Sequence, residues 1–386
     1  MARYGWTRLW ILPLVLAVVL ALLGGHFVRV ARAQGSIDIT VNGSYRFHTL
    51  RGPMGIIAQP YSNGLILYIA DTGHNVIRIF TQCSLGCSGL SVFAGNGTAG
   101  YVNGAPLSSE FNKPTGIQGG FLELIYGGRH YAYHHIQIAD TKNFVVRDVC
   151  EGSPPPTYPY ACNTVGTATT FAGSGVQGLQ NGSVTTARFG HLAGVTDTSA
   201  YIGDGDNNVI RSIAQSVVST YAGTGVAGLL NGPRLSARFR APTKVLSDGT
   251  GNLFVVDAGN HCIRKIDSSG NVSTFAGSGQ PGHVDGAASV AQFYRPLSIV
   301  YNLTDGHYYV TDTFNNCIRR IDSNGNVTTY AGAPTAGYQD GSLLNARFNS
   351  PADLSIANGY MYVSDTNNNC IRQIDMARGV VSTFLN

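Results

Sequence analysis

Little of this sequence is charged, and past its first 33 residues neither sign dominates. The chain carries 25 Lys+Arg and 21 Asp+Glu in 386 residues. Residues 1–33 hold four arginines (Arg3, Arg8, Arg29 and Arg32) and no acid, so the remainder has 21 of each. A balanced chain has no bulk attraction for nucleic acid or for an anionic membrane. No helical stripe of useful length appears after residue 33, which argues against a helix-built domain. Gly-Xaa-Ser-Xaa-Gly, His-Glu-Xaa-Xaa-His and phosphate-loop motifs are all missing, and with them the common hydrolase, zinc-protease and nucleotide-binding signatures. The one long apolar run, residues 10–23, is shorter than the roughly 20 residues that span a bilayer.

That run follows Arg3 and Arg8 and precedes small residues around Ala33, the layout of a secretory signal cut before Gln34. Residues 1–33 are therefore expected to be a signal peptide, or, given Arg29 and Arg32 behind the run, an uncleaved membrane anchor. Either way residues 34–386 are expected to be exported: secreted and extracellular, or held at the cell surface. Export brings two further expectations. Asn42, Asn96, Asn181, Asn271, Asn302 and Asn326 stand in Asn-Xaa-Ser/Thr sequons and become candidate glycosylation sites. Cys83 with Cys87, and Cys150 with Cys162, flank short segments and are expected to pin loops as disulfides.

What the sequence has in plenty is glycine, 49 in all, and repetition. Asp71, Asp140, Asp204, Asp257, Asp312 and Asp365 are each followed seven residues on by an arginine: Arg78, Arg147, Arg211, Arg264, Arg319 and Arg372. "VFAG", "TFAG" or "TYAG" comes next, at 92–95, 170–173, 220–223, 274–277 and 329–332, with a last "TF" at 383–384. Ten residues beyond each of the first five aromatics stands an Asn-Gly or Asp-Gly, at 103, 181, 231, 285 and 340. Eleven more lead to Pro114, Leu192, Pro242, Pro296 and Pro351. Fixed spacing marks a rigid connector, and a period of about 53 residues with four short strands per copy indicates a β-propeller. Six copies predict an all-β, six-bladed ring with four antiparallel strands per blade, forming one domain over residues 34–386. The chain starts in a connector and ends on an outermost strand, so its two ends should meet between blades six and one.

"NLFVVDAGNHCIRKID" at 252–267, followed by "STFAGSG" at 273–279, resembles the NHL repeat, which forms six-bladed propellers. The likeness runs over residues 35–386 and is sharpest in blades four to six. It weakens at Phe144, where Asn or His is expected, and at Leu192, which replaces the proline. The resemblance implies a binding platform and no particular reaction. Relatives of this kind include metal-dependent lyases acting on peptide C-termini and lactone-cleaving propellers, whose ligands sit on the innermost strands. The corresponding starts here, "MGII", "TGIQ", "AGVT", "TKVL", "LSIV" and "ADLS", supply no histidine.

The six Asp–Arg pairs read as structure. If a tight hairpin joins Asp to Arg, Asp312 faces Cys317, and Arg319 lies diagonally on the same face. A site is built once, whereas six copies are architecture. Cys262, Cys317 and Cys370 hold one equivalent position, filled by Val76, Val145 and Val209 in the other blades. That exchange predicts buried free thiols, too far apart on separate blades for a disulfide or a shared zinc. "DGDNN" at 204–208 imitates a calcium loop but lacks its glycine and distal glutamate. His130, His134 and His135 alternate with tyrosines and read as strand residues. No catalytic residue, metal or cofactor is therefore assigned.

What survives is asymmetry. The second position of the innermost starts reads Gly55, Gly116, Gly194, Lys244, Ser298 and Asp353. Three blades should leave the channel mouth bare, and Lys244, Ser298 and Asp353 become candidate ligand-binding residues. Insertions concentrate in blades one and two, on the face opposite the connectors. The expected function is a secreted or cell-surface propeller that binds protein or glycan as a binding or adhesion module. No nucleic-acid partner is expected, and membrane only through a retained anchor. The alternative is a channel-centred hydrolase or lyase, lactonase-like or peptide-amidating-lyase-like.

Overall fold

The computed structural model describes residues 28–33, 36–41, 49–61, 64–82, 88–126, 129–150, 165–196 and 201–386. Residues 1–49 and 50–386 are two compact units. In the first, Val28–Ala33 pairs antiparallel with Ser36–Val41. The rest of the expected signal segment, residues 1–27, lies outside the described residues, as does Asn42. Among the described residues no helix is long and apolar enough to cross a membrane.

Residues 50–386 build six antiparallel sheets, each from one uninterrupted stretch of chain. Blade one runs Pro53–Tyr61, Gly64–Asp71, Val76–Gln82, Ser88–Ala94, and blade two Pro114–Tyr126, Arg129–Asp140, Val145–Cys150, Ala168–Ala172. Blade three is Leu192–Val195, Tyr201–Asp204, Val209–Ala214, Val217–Ala222, and blade four Pro242–Ser247, Leu253–Asp257, Cys262–Ile266, Asn271–Ala276. Blade five is Ile299–Asn302, His307–Asp312, Cys317–Ile321, Val327–Gly332, and blade six Pro351–Ala357, Tyr360–Asp365, Cys370–Asp375, Val380–Leu385. The first strand of each blade contacts the first strand of the next, and blade six returns to blade one. The ring is closed.

Four strands per blade is right as a minimum. In blades three, four and six the incoming connector adds a two-residue fifth strand, Gly182–Ser183, Gly232–Pro233 and Gly341–Ser342, on the outermost edge. In blades two and five the same place is a single bridge, Gly104 to Ala168 and Gly286 to Val327. The glycine of each Asn-Gly or Asp-Gly makes this turn at positive φ, from +129° at Gly232 to +150° at Gly182, a conformation few other residues reach. The connector thereby covers the strand edge that would otherwise invite pairing with another chain.

Burial follows from strand alternation. Phe254 and Val256 pack towards blade five, while Leu253 and Val255 pack towards blade three. Six apolar clusters result, one at each blade junction. The closing junction joins Ile56, Leu67 and Phe80 of blade one to Tyr362 and Ile371 of blade six, with Phe80 edge-on to Phe384 at 5.2 Å. The first and last strands of residues 50–386 therefore belong to neighbouring blades. Among the described residues no strand passes between blades six and one, and side chains and hydrogen bonds close the ring. Gly52 N–H donates to Asn369 Oδ1 at 2.8 Å, and Thr366 Oγ1 to the Pro53 carbonyl at 2.7 Å.

Cys262, Cys317 and Cys370 are free and buried. Burial and the facing aspartate push the Cys370 thiol up to about 12, so it holds its proton at any physiological pH. These three thiols should resist alkylation in the native protein and label fully once it is denatured without reductant. Labelling of Cys262 in the native protein would show that the blade opens. Cys83, Cys87 and Cys162 lie outside the described residues, and Cys150 is buried at the end of its strand.

Candidate functional site

The recurrent arginine does more than pair with its aspartate. All six Asp–Arg bonds form, at 2.7–3.0 Å, between side chains at most 3% exposed. In blade five Asp312 faces Cys317 and Arg319 faces Val310, the register read from the sequence. Arg319 then reaches outward: Nη1 donates also to the Gln292 carbonyl at 2.8 Å, and Nη2 to the Val284 carbonyl at 2.9 Å and to Asp285 Oδ1 at 2.6 Å. Arg211, Arg264 and Arg372 repeat this with Asn181, Asn231 and Asp340. The Asn-Gly or Asp-Gly of the connector is therefore the acceptor end of an arginine pin.

Two parts of the pin were missed in the sequence, though both repeat. Each guanidinium of blades two to six lies over a fully buried phenylalanine: Phe111, Phe189, Phe239, Phe293 and Phe348, with carbon-to-centroid distances of 4.8–5.2 Å. These phenylalanines stand three residues before the proline position. In blades two to six the asparagine three residues after the aspartate, Asn143, Asn207, Asn260, Asn315 and Asn368, donates to that aspartate and to a connector carbonyl; in blade one His74 holds this place. Burial pushes Asp257 and Asp312 up to about 6, opposed by these donors and by Arg264 and Arg319. Both stay ionised at neutral pH.

At the ring axis, the six innermost starts meet around a cavity of about 50 Å³ lined by Gly55, Gly116, Gly194, Lys244, Ser298 and Asp353 among others. The three polar residues converge. Lys244 Nζ and Ser298 Oγ donate to Asp353 Oδ1 at 2.8 and 2.5 Å, as does the Leu354 N–H at 2.9 Å. Ile56 N–H donates to Asp353 Oδ2 at 3.1 Å. One carboxylate of blade six thus accepts from blades one, four, five and six. The lysine and aspartate side chains are only 13% and 9% exposed.

The glycines correct an expectation. They do not leave room at the mouth. A Cβ at Gly55 would meet the Thr115 carbonyl oxygen at 2.2 Å, and one at Gly116 the Ala193 carbonyl oxygen at 2.5 Å. Blades one and two use glycine because the neighbouring backbone occupies that space, whereas a Cβ at Gly194 would come no nearer than 3.3 Å to Lys244. The channel is narrowed by main chain on one side and plugged by an ion pair on the other.

The remaining candidates separate. Asp204 is committed to Arg211, Asn207 and the Gly190 N–H, and Asp206 to His191 and Gln177, so the two carboxylates of the calcium-like stretch do not converge. His135 pairs with Asp148 at 3.1 Å; the side chains of His130 and His134 lie outside the described residues. Among the described residues no three His, Cys, Asp or Glu side chains could hold a metal ion. Of the sequon asparagines, Asn96, Asn181, Asn271 and Asn326 are exposed, whereas Asn302 is buried and its side chain accepts from the Thr304 N–H. Phe144, in the left-handed turn position, lacks the acceptor that Asn75, Asn208, His261, Asn316 and Asn369 offer to the next blade; it stacks on His191 instead.

The family model described as NHL repeat matches residues 293–321. The protein SUPPRESSOR OF QUENCHING 1, chloroplastic, of Arabidopsis thaliana is 33% identical over 143 residues, covering 34% of this chain and 14% of that protein. NHL repeat-containing protein 2 of Homo sapiens is 25% identical over 398 residues, 95% of this chain and 46% of that protein. The chain thus spans less than half the length of both. A solved auxiliary nutrient binding protein from Bacteroides thetaiotaomicron superposes with a TM-score of 0.55 at 15% identity, over 87% of this chain and 70% of that one, which is a likeness of fold. Repeat match, relatives and ring agree: the chain is a six-bladed propeller that carries an NHL repeat at residues 293–321 and is similar to NHL repeat-containing proteins.

Proposed function

We propose that this NHL-repeat propeller is an exported binding module whose partner, a protein or a glycan, docks on the exposed rim of loops and not inside the channel. The observation that carries this reading is the plugged axis. A cavity of about 50 Å³ is far below the roughly 300–1,000 Å³ of small-molecule sites. Its charged groups are also spent on each other. Six buried Asp–Arg pairs, four of them extended to a connector Asn or Asp side chain, brace the scaffold, and on rigid scaffolds binding lives in the loops that differ between repeats. Export, with glycans on the exposed sequons and disulfides at Cys83–Cys87 and Cys150–Cys162, belongs to the same proposal.

The test is to probe mixed glycan and extracellular-protein arrays with the purified chain. Saturable binding that survives Lys244→Met supports rim docking. Binding lost with Lys244→Met while melting is unchanged, or turnover of a lactone or peptide substrate, would move the site to the channel and overturn the proposal.

A further inference from the structure

Charge on this neutral propeller is sorted by face. The two residues that lead into each innermost strand, and the turn between the second and third strands, are bonded to each other in every blade. Gly73 N–H donates to the Arg51 carbonyl at 2.7 Å, Lys142 N–H to Asn112 at 3.0 Å, Gly205 N–H to His191 at 3.2 Å, Gly259 N–H to Arg240 at 2.8 Å, Phe314 N–H to Tyr294 at 3.1 Å and Asn367 N–H to Asn349 at 3.1 Å. Six equivalent bonds put these segments on one face, around the mouth of the channel. Arg51, Lys113, Lys142, Arg240 and Arg295 are exposed there; none makes an ion pair among the described residues, and Lys142 Nζ lies 3.0 Å from His191 Nε2. The single carboxylate in the same segments, Asp206, is already taken by His191 and Gln177. The turns at the opposite face carry Asp248, Asp267, Asp305, Asp322 and Asp375, with one cation, Arg378, beside Asp375.

An aromatic platform adjoins one of the cations. Tyr294 and Phe314, 41% and 50% exposed, lie edge to face at 5.2 Å. The Arg295 guanidinium sits 5.6 Å from the Phe314 ring centre, and His261 sits 5.6 Å from Tyr294. The two adjoining rings form a small exposed apolar patch beside a cation.

We propose that this face binds an anionic polysaccharide, its carboxylates or sulfates meeting the cations of blades one, two, four and five and one sugar ring lying on Tyr294 and Phe314. The inference rests on the binding-module reading and gives it a surface and a ligand class. Exposed, spaced cations with no carboxylate of their own suit a flexible chain with regularly placed charge. A peptide is less well served, because strand addition needs an open sheet edge and the connectors cover the outermost strands of blades two to six. A single-stranded nucleic acid stacks successive bases on successive aromatics; besides Tyr294 and Phe314 the connectors expose only the isolated Tyr101 and Tyr338 among the described residues, and binding of oligo-dT decides for or against that ligand.

The full chain should retain dextran sulfate, but not neutral dextran, at 50 mM salt, with affinity falling at least tenfold by 200 mM. The triple variant Lys113→Gln, Lys142→Gln, Arg240→Gln changes exposed side chains and should melt as the parent does, yet bind at least tenfold more weakly. Phe314→Ala should weaken dextran sulfate about threefold and leave any binding to poly-glutamate unchanged. Undiminished binding by the triple variant overturns the proposal, and so does equal or tighter binding of poly-glutamate or oligo-dT. Array ligands that bind the triple variant normally would sink this surface while leaving the module reading intact. No ligand of any class would sink both.

Discussion

Replacing Arg319 by alanine is expected to lower the stability of the propeller by about 3–5 kcal/mol, the range for breaking a buried ion pair. Arg319 and Asp312 are both fully buried, and the truncation leaves the carboxylate without its main counter-charge. It also releases the Gln292 and Val284 carbonyls and Asp285 and empties the space over Phe293. Melting should fall by several degrees or more. Arg319→Lys should recover little, since a single ammonium cannot span the fork from Asp312 to Asp285. The double change Arg319→Leu with Asp312→Leu removes the stranded charge and should restore part of the loss. What it does not restore measures the pinning of the connector. A melting temperature unchanged in Arg319→Ala would mean that the blade holds its connector without the pin.

That pin shows how far the sequence could be read. The pair, its register and its sixfold use were legible because Asp312 and Arg319 recur at fixed spacing beside a period-two strand pattern. Its outer half was not legible. Asp285 lies 34 residues from Arg319, and only the closed fold brings the connector back across the blade that follows it. Phe293 was legible in principle, since a phenylalanine stands three residues before the proline position in five connectors, but a lone aromatic in a loop carries no period of its own. The glycines misled for a different reason. Gly55 and Gly116 look like missing side chains in a channel, yet a missing Cβ serves equally well to admit a neighbouring backbone. One dimension does not tell which.

Asp353→Ala should be nearly as damaging as Arg319→Ala, although this residue occurs once. Its carboxylate is the acceptor for Lys244, Ser298, the Leu354 N–H and the Ile56 N–H, and Ile56 is 1% exposed at the junction that closes the ring. Truncation leaves a nearly buried ammonium and a buried N–H without this acceptor, each costing about 1–3 kcal/mol or more. Lys244→Met should be milder, on the order of 1–2 kcal/mol, because Asp353 keeps three donors and some contact with water. A simple plug formed by two opposite charges would tolerate their exchange, Lys244→Asp with Asp353→Lys. This arrangement should not. A lysine at 353 would aim a donor at three donors, so the double exchange is expected to melt below either parent or Lys244→Met. Recovery of full stability by the exchange would show that only the Lys244–Asp353 attraction matters and that the contact from blade one is incidental. Loss of stability in the exchange, with array binding intact in Lys244→Met, would identify Asp353 as the residue that fastens the last blade to the first.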